Sequence, residues 1–349
     1  MTDLKKFIEI FRLPPAMIPY VDYVATEQEM DLVVRLGHQE MSLEEIAKLM
    51  GMPCEEAELL VTQAYHREVI AKAGSTDVHL GPQQQEGPTK YKAGTFYRRL
   101  DPLAMYENWG DVPAEARDAV IEWQLEEFIN TWQPAIEEIR KDADARLHIP
   151  NRDYMLLDEA LEMVEAATDH VILPCDCKEI VRACERPREV CVRLDEGALM
   201  TLEHGHGRRV TKEEMKQIVI DANRAGLMAT GDRDWKKDGH LFGFCNCCAC
   251  DCYPIRAGIK LGFGDAWPRV YHVAARDADA CHLCGTCARR CHFGAFYQDG
   301  SKVQFKGRRR KAVLFDPEKC RGCGICATAC PQGAITMQPL RTAQEVGAE

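Results

Sequence analysis

Cysteine is the residue of this chain whose type and spacing could do chemistry. Of 18 cysteines only Cys54 stands before residue 175, and the other seventeen crowd into 175–330. Thiolates ligate soft metals, exchange disulfides or attack electrophiles. Separations of one to three residues favour metal ligation, because such close neighbours rarely reach the Cα separation and orientation that a disulfide needs. The N-terminus, MTDLKKFIEI, lacks the pattern of a signal peptide, and no apolar run approaches the roughly 20 residues of a membrane span. A cytoplasmic location is therefore expected, where disulfides are rare.

Eight cysteines form two copies of one pattern, Cys281-x2-Cys284-x2-Cys287-x3-Cys291 and Cys320-x2-Cys323-x2-Cys326-x3-Cys330-Pro331. Over about residues 274–340 the chain resembles the bacterial-type ferredoxins with two 4Fe–4S clusters. The resemblance implies that each CxxCxxC turn supplies three thiolates to one cubane and that the fourth crosses over from the other tetrad. Cluster one would then take Cys281, Cys284, Cys287 and Cys330, and cluster two Cys320, Cys323, Cys326 and Cys291. Zinc sites or disulfides would leave the duplicated spacing unexplained. Two departures from the family pattern stand out. His292 occupies the place where proline usually follows the fourth cysteine, and the connection from Cys291 to Cys320 is long. That connection alternates around Lys306-Gly307 as a hairpin does. Its basic run, Arg308–Lys311, reads either as a solvated face or as a docking site for an acidic redox partner. The resemblance further implies low-potential one-electron transfer, with anaerobic metabolism as its setting.

Nine more cysteines lie upstream: Cys175, Cys177, Cys184 and Cys191, then Cys245, Cys247, Cys248, Cys250 and Cys252 in FCNCCACDCYP. Exposed free thiols at this density oxidise and cross-link, so something is expected to bind them. The expectation is one further 4Fe–4S cluster held by some of Cys175, Cys177, Cys245, Cys247 and Cys250. Adjacent and alternating cysteines point in different directions, so all five of the second group would not reach one cluster. A zinc site and a dithiol/disulfide active site are the competing readings. The density is similar to that of cysteine-rich segments in heterodisulfide-reductase-type proteins, but the spacings differ and no role is carried over.

His204 and His206, in EHGHGRR, form either a ligand pair or a polar glycine loop, and the loop is the simpler reading. No strand-linked GxGxxG, Walker loop or Ser-His-Asp order occurs. A nucleotide or flavin would accordingly reside on a redox partner protein, a flavin-containing one among the candidates.

Several elements must position these groups. Ser42 and Glu45 have the spacing of a capping box that opens SLEEIAKLM, and Gly51 stops that helix. Pro53 starts PCEEAELLVTQAYHREVI, and an extended stretch to Tyr97 follows. The segment resembles winged-helix domains. A DNA reader needs a basic recognition helix, whereas this one offers Glu55, Glu56, Glu58 and Glu68 against Arg67, which argues for protein docking or structure instead of nucleic acid. Residues 113–146 read as a long amphipathic helix with a break or kink at Pro134, and Trp109, Trp123 and Trp132 as its packing residues. Residues 156–167 read as helix and 171–174 as a buried strand. Thr211 and Glu214 suggest a second capping box, on a helix ended by Gly226.

The formal charge is −11, yet residues 276–340 carry eleven lysines and arginines against five carboxylates. An acidic body with a basic redox end results. The fold expected is a multidomain α+β chain: a winged-helix-like helical domain over 1–100, a helical and cysteine-rich α+β domain over 101–273, a ferredoxin-like βαβ-βαβ dicluster domain over 274–340, and a tail from 341 to 349. The leading functional expectation is an electron-transfer protein or subunit of an oxidoreductase system. The alternatives are an iron–sulfur reductase with a catalytic cluster or thiol in 175–252, and a redox-sensing winged-helix regulator.

Overall fold

The computed structural model describes residues 3–74, 88–141, 153–233, 235–261 and 270–340. Residues 75–87 of the stretch expected to be extended, the end of the helix expected to reach 146, and the tail 341–349 lie outside these residues. The chain forms two compact units. The first is Met1–Glu127 with Pro174–Arg182 and Leu199–Gly207; the second is Phe128–Leu173 with Ala183–Ala198 and Arg208–Glu349. No helix among the described residues is long and apolar enough to cross a membrane.

The first unit opens with the helix Leu4–Phe11, on which Phe7 and Phe11 stack with ring centroids 4.9 Å apart. A 3-10 turn, Pro15–Tyr20, and a short helix, Val21–Val24, follow, since Pro15 at a first helical position is already set for a helical φ. The helices Glu27–Leu36, Leu43–Met50 and Cys54–His66 follow. Ser42 and Glu45 close the anticipated capping box: Ser42 Oγ accepts the Glu45 N–H, and the Glu45 carboxylate accepts the Ser42 N–H at 2.8 Å. Pro53 is the N-cap of the next helix and not its first helical residue. Strands Met41–Ser42, Lys90–Ala93 and Ile70–Lys72 form an antiparallel sheet in that order. Trp109 is fully buried and donates its indole N–H to the Ile180 carbonyl at 3.1 Å. The helix Ala114–Lys141 runs through Pro134, and the boundary between the units falls within it.

A six-stranded sheet organises the second unit. Its strand order is Asp153–Met155, Met228–Gly231, Gly243–Cys247, Glu189–Leu194, His170–Pro174 and Arg208–Arg209. Strand alternation gives this sheet two faces. On one, Met155, Ile172, Val192, Leu194 and Phe244 pack with Met163, Met215 and Val219 from the helices Leu157–Ala166 and Lys212–Arg224. Thr211 caps the second of these helices through its hydroxyl, which accepts the Glu214 N–H at 3.1 Å. The Glu214 carboxylate, expected to fold back on the cap, pairs instead with Arg208 at 2.7 Å. Gly226 follows this helix with φ +90°, a conformation L residues avoid.

Residues 272–339 continue the same unit. The strand His272–Arg276 leads to the helix Thr286–Arg290 and the strand Phe296–Tyr297. Leu314–Phe315, the helix Ile325–Thr328 and the strand Ile335–Pro339 repeat that order. The outer strands pair with each other antiparallel, and so do the inner ones. Between the halves stands the hairpin Lys302–Phe305/Arg308–Lys311, turning at Lys306-Gly307 where both φ angles are positive, as a two-residue type I′ loop requires.

Candidate metal centre

Each CxxCxxC turn is bent by residues of positive φ that leave a short helix just downstream: Leu283 (+52°) and Gly285 in the first, Gly322 and Gly324 in the second. At Gly322 glycine is obligatory on two counts. Its φ is +71°, and an added Cβ would stand 2.5 Å from the His272 carbonyl oxygen. The turns bring cysteines distant in sequence together. Cys281, Cys284, Cys287 and Cys330 line one cavity, closed by Leu283, Val313, Pro331 and Ile335. Cys330 Sγ accepts the Ala334 N–H at 3.3 Å, a bond that suits a thiolate.

The second set is drawn together in the same way. Burial pushes the Cys326 thiol upward, and the neighbouring sulfurs of Cys323, Cys320 and Cys291 push it further. Cys323 is pushed up to about 12, first by burial and then by Cys291 and Cys320. Burial also raises Cys287, with Cys281 and Cys284 adding to it. The rim thiol Cys284 is lowered, chiefly by the Thr286 hydroxyl. Buried thiols that resist ionisation while facing one another need a cation to become thiolates. The donor sets therefore fit 4Fe–4S clusters, which carry that charge.

Ring and polar contacts dock these elements on the central sheet. Tyr154 meets Phe293 edge to face at 5.6 Å, and Cys323 and Ile325 pack with Tyr154, Met228, Cys247 and Ile255. His292, standing in the proline position of the tetrad, makes a 2.7 Å hydrogen bond between Nε2 and the Gly226 carbonyl. Arg290 donates to the Asn223 carbonyl at 3.1 Å and also to that of Arg224, a cation at the C-terminus of a helix.

The upstream cysteines divide differently from expectation. Cys175, Cys177 and the intervening Asp176 bring their ligand atoms together in the first unit. In the second unit Cys250 is joined by Cys184 and Cys248, neither of which was in the expected set. Cys245 and Cys247 share a strand face. They border the apolar layer of Tyr154, Met228, Ile255 and Ile325, where a thiol packs as a small hydrophobe. Cys247 Sγ also lies 3.2 Å from Thr230 Oγ1. Sequence spacing could not reveal the Cys184 partnership, because it joins loops about sixty residues apart. Around this group, Asp251 is 1% exposed; its Oδ1 accepts the Ala183 N–H at 2.9 Å and its Oδ2 lies 3.1 Å from Cys184 Sγ and 3.2 Å from Cys248 Sγ. Arg186 donates to Cys250 Sγ at 3.1 Å. Burial opposes its charge, yet the sulfurs of Cys184 and Cys250 hold its pKa above the ordinary arginine value.

His204 and His206 do not form a simple solvated loop. His204 Nε2 lies 2.8 Å from the Tyr65 hydroxyl and its Nδ1 3.1 Å from Glu68, while Tyr65 donates to Glu203 at 2.7 Å. His206 Nε2 lies 2.7 Å from the His66 carbonyl. These two rings anchor the 199–207 segment within the first unit. Arg67, the lone base of the acidic helix, pairs with Glu29 and with Glu107 at 3.1 Å.

No curated protein and no solved structure gives a significant match to the chain. A family model described as a 4Fe-4S dicluster domain does match, over residues 280–334, so the chain carries a C-terminal ferredoxin-like iron–sulfur domain.

Proposed function

We propose that this chain is an iron–sulfur electron carrier, or the electron-carrying subunit of an oxidoreductase. In this reading residues 280–334 hold two 4Fe–4S clusters, one on Cys281, Cys284, Cys287 and Cys330 and the other on Cys320, Cys323, Cys326 and Cys291. The observation that carries it is the single cavity lined by three cysteines of the first turn and the fourth of the second. When bound, each cluster supplies a reversible one-electron couple. The chain's own residues do the rest. Buried Cys287 and half-buried Cys323 and Cys326 keep water from the ligand atoms, and the Ala334 N–H supports charge on Cys330. Cys287 and Cys326 belong to one packed cluster with Phe296, Val313 and Ile335, which supports a short path between the two centres.

The partner docks, in this reading, on the hairpin Lys302–Phe305/Arg308–Lys311. Arg308, Arg309, Arg310 and Lys311 are all exposed, and among the described residues none has a carboxylate within ion-pair distance. Exposed cations on a two-stranded ribbon suit a transient acidic partner such as a flavin-containing redox protein. In the first unit, the order helix, strand, helix, helix, strand, strand supports a winged-helix reading. Its helix Cys54–His66 exposes Glu55, Glu56, Glu58 and Leu59, so protein docking fits this surface and DNA does not. The test is a reductive titration of anaerobically prepared protein followed by EPR. Two interacting low-potential S = 1/2 centres are expected, and the absence of any reducible iron–sulfur signal would refute the proposal.

A further inference from the structure

The three sulfurs of Cys184, Cys248 and Cys250 lie within 4.8 Å of one another, and the Cys184–Cys248 pair is at 3.9 Å. Those distances separate two kinds of occupant. Four ligands on one tetrahedral ion, with metal–sulfur bonds of about 2.3 Å, stand roughly 3.8 Å apart. A cubane spreads its thiolates over four different irons, and its ligand sulfurs stand further apart than that. The same molecule contains its own comparison: among the described residues, no three ferredoxin cysteines gather their sulfurs within 4.8 Å.

We propose that Cys184, Cys248 and Cys250 hold a mononuclear zinc ion, with the Asp251 carboxylate beside it, in a site that is structural and not a third cluster. Asp251 is 1% exposed and lies 3.1 and 3.2 Å from two of the three sulfurs through Oδ2, while its Oδ1 is held by the Ala183 N–H. Its Oδ2 accepts from the Cys184 and Cys248 thiols, and once those thiols ionise to bind a metal the buried carboxylate stands beside the cation. Three thiolates and a carboxylate around a divalent ion leave two negative charges. Arg186, donating to Cys250 Sγ at 3.1 Å, offsets one of them. Soft thiolates gathered this closely select zinc over magnesium or calcium.

The site would staple two segments that secondary structure leaves loose. Cys184 lies in the irregular stretch after the helix Asp176–Val181, and Cys248 and Cys250 lie in the turn between the strand Gly243–Cys247 and the helix Tyr253–Lys260. Zinc is redox-silent, so the site would fix this region without joining the electron path.

The test uses the full chain, purified without oxygen from cells supplied with iron and zinc. Expected are one zinc per chain beside the ferredoxin iron, and a zinc-edge X-ray absorption spectrum with three sulfurs and one oxygen or nitrogen. Cys184→Ser and Cys250→Ser should each lose the zinc and keep the wild-type iron. Asp251→Asn, which keeps the shape, should lose zinc to a chelator at least tenfold faster. The proposal is overturned by wild-type protein without stoichiometric zinc, by four additional irons that disappear in these variants, by a Cys184–Cys248 disulfide, or by a zinc spectrum lacking three sulfurs. The wild-type spectrum decides the matter even if a variant fails to fold. Loss of the ferredoxin iron would refute the electron-transfer reading separately and leave the zinc count intact.

Discussion

At the residue scale the crossover is the most specific feature of the two cysteine sets. Cys330 lies 43 residues beyond Cys287, yet both line the cavity of the first turn. Replacing Cys330 by serine should therefore empty the cluster of Cys281, Cys284 and Cys287, not that of its own turn. Iron would fall from about eight to about four per chain, because each cubane needs all four ligands. Cys291→Ser should remove the other half. EPR of the surviving centre checks this: Cys330→Ser should leave the same signal as Cys281→Ser, and a signal matching that of Cys320→Ser would contradict a crossed ligand set. The duplicated spacing made these eight residues legible in the sequence. The grouping of Cys184 with Cys248 and Cys250 was not, because a local spacing carries no information about which distant loop supplies the remaining thiol.

At the scale of elements, local signals were the most readable. The Ser42–Glu45 box, the Gly226 stop and the Lys306-Gly307 turn each occupy the position their chemistry implies, because each depends on residues a few positions apart. Long-range polar pairs escaped. Tyr65 and His204 meet across 139 residues, and Glu214 abandons its cap for Arg208. His292 illustrates a departure from family pattern that acquires a purpose in three dimensions. His292→Ala should cost on the order of 1 kcal/mol in a denaturation experiment, as the loss of one hydrogen bond does, without changing iron content. The hairpin carries a second prediction. Arg309→Glu/Arg310→Glu should slow reduction of an acidic flavoprotein by about tenfold at low salt, with the difference shrinking at high salt. Equal rates would dismiss the hairpin as the docking surface.

The same scale holds a pH effect. Burial is the main cause lowering the pKa of His206, and the nearby His204 and His66 add to it, while the His66 carbonyl and Glu68 oppose it. The folded state thus binds a proton here less readily than the unfolded chain does. By linkage, stability is complete above the ordinary imidazole value near 6.5 and is lost as pH falls below it, until the folded-state pKa is passed. Denaturant midpoints measured from pH 7.5 to 5.5 should decline, and His206→Gln should flatten the decline. An unchanged slope in that variant would assign the effect elsewhere.

On the scale of the whole molecule, composition and charge gave the right class of problem, an acidic body with a basic, cysteine-rich end. The assembly of the second unit was less legible. The sheet collects its strands in an order far from sequence order, and chain segments 183–198 and 208–349 join it across an excursion into the first unit. Hydrophobic alternation reports that a strand has a buried face, and says nothing of which strand lies beside it. Phe244, for example, is identifiable as apolar, but its place against Met155 and Val192 depends on pairings that span ninety residues. Phe244→Ala should cost about 3–5 kcal/mol, checked by the same denaturation assay.

The most direct test of the central claim is the iron and acid-labile sulfide content of the full chain prepared without oxygen. The account predicts about eight of each, assigned to the thiols of Cys281, Cys284, Cys287, Cys291, Cys320, Cys323, Cys326 and Cys330. Protein that holds zinc or disulfides at these positions, with no labile sulfide, would contradict it.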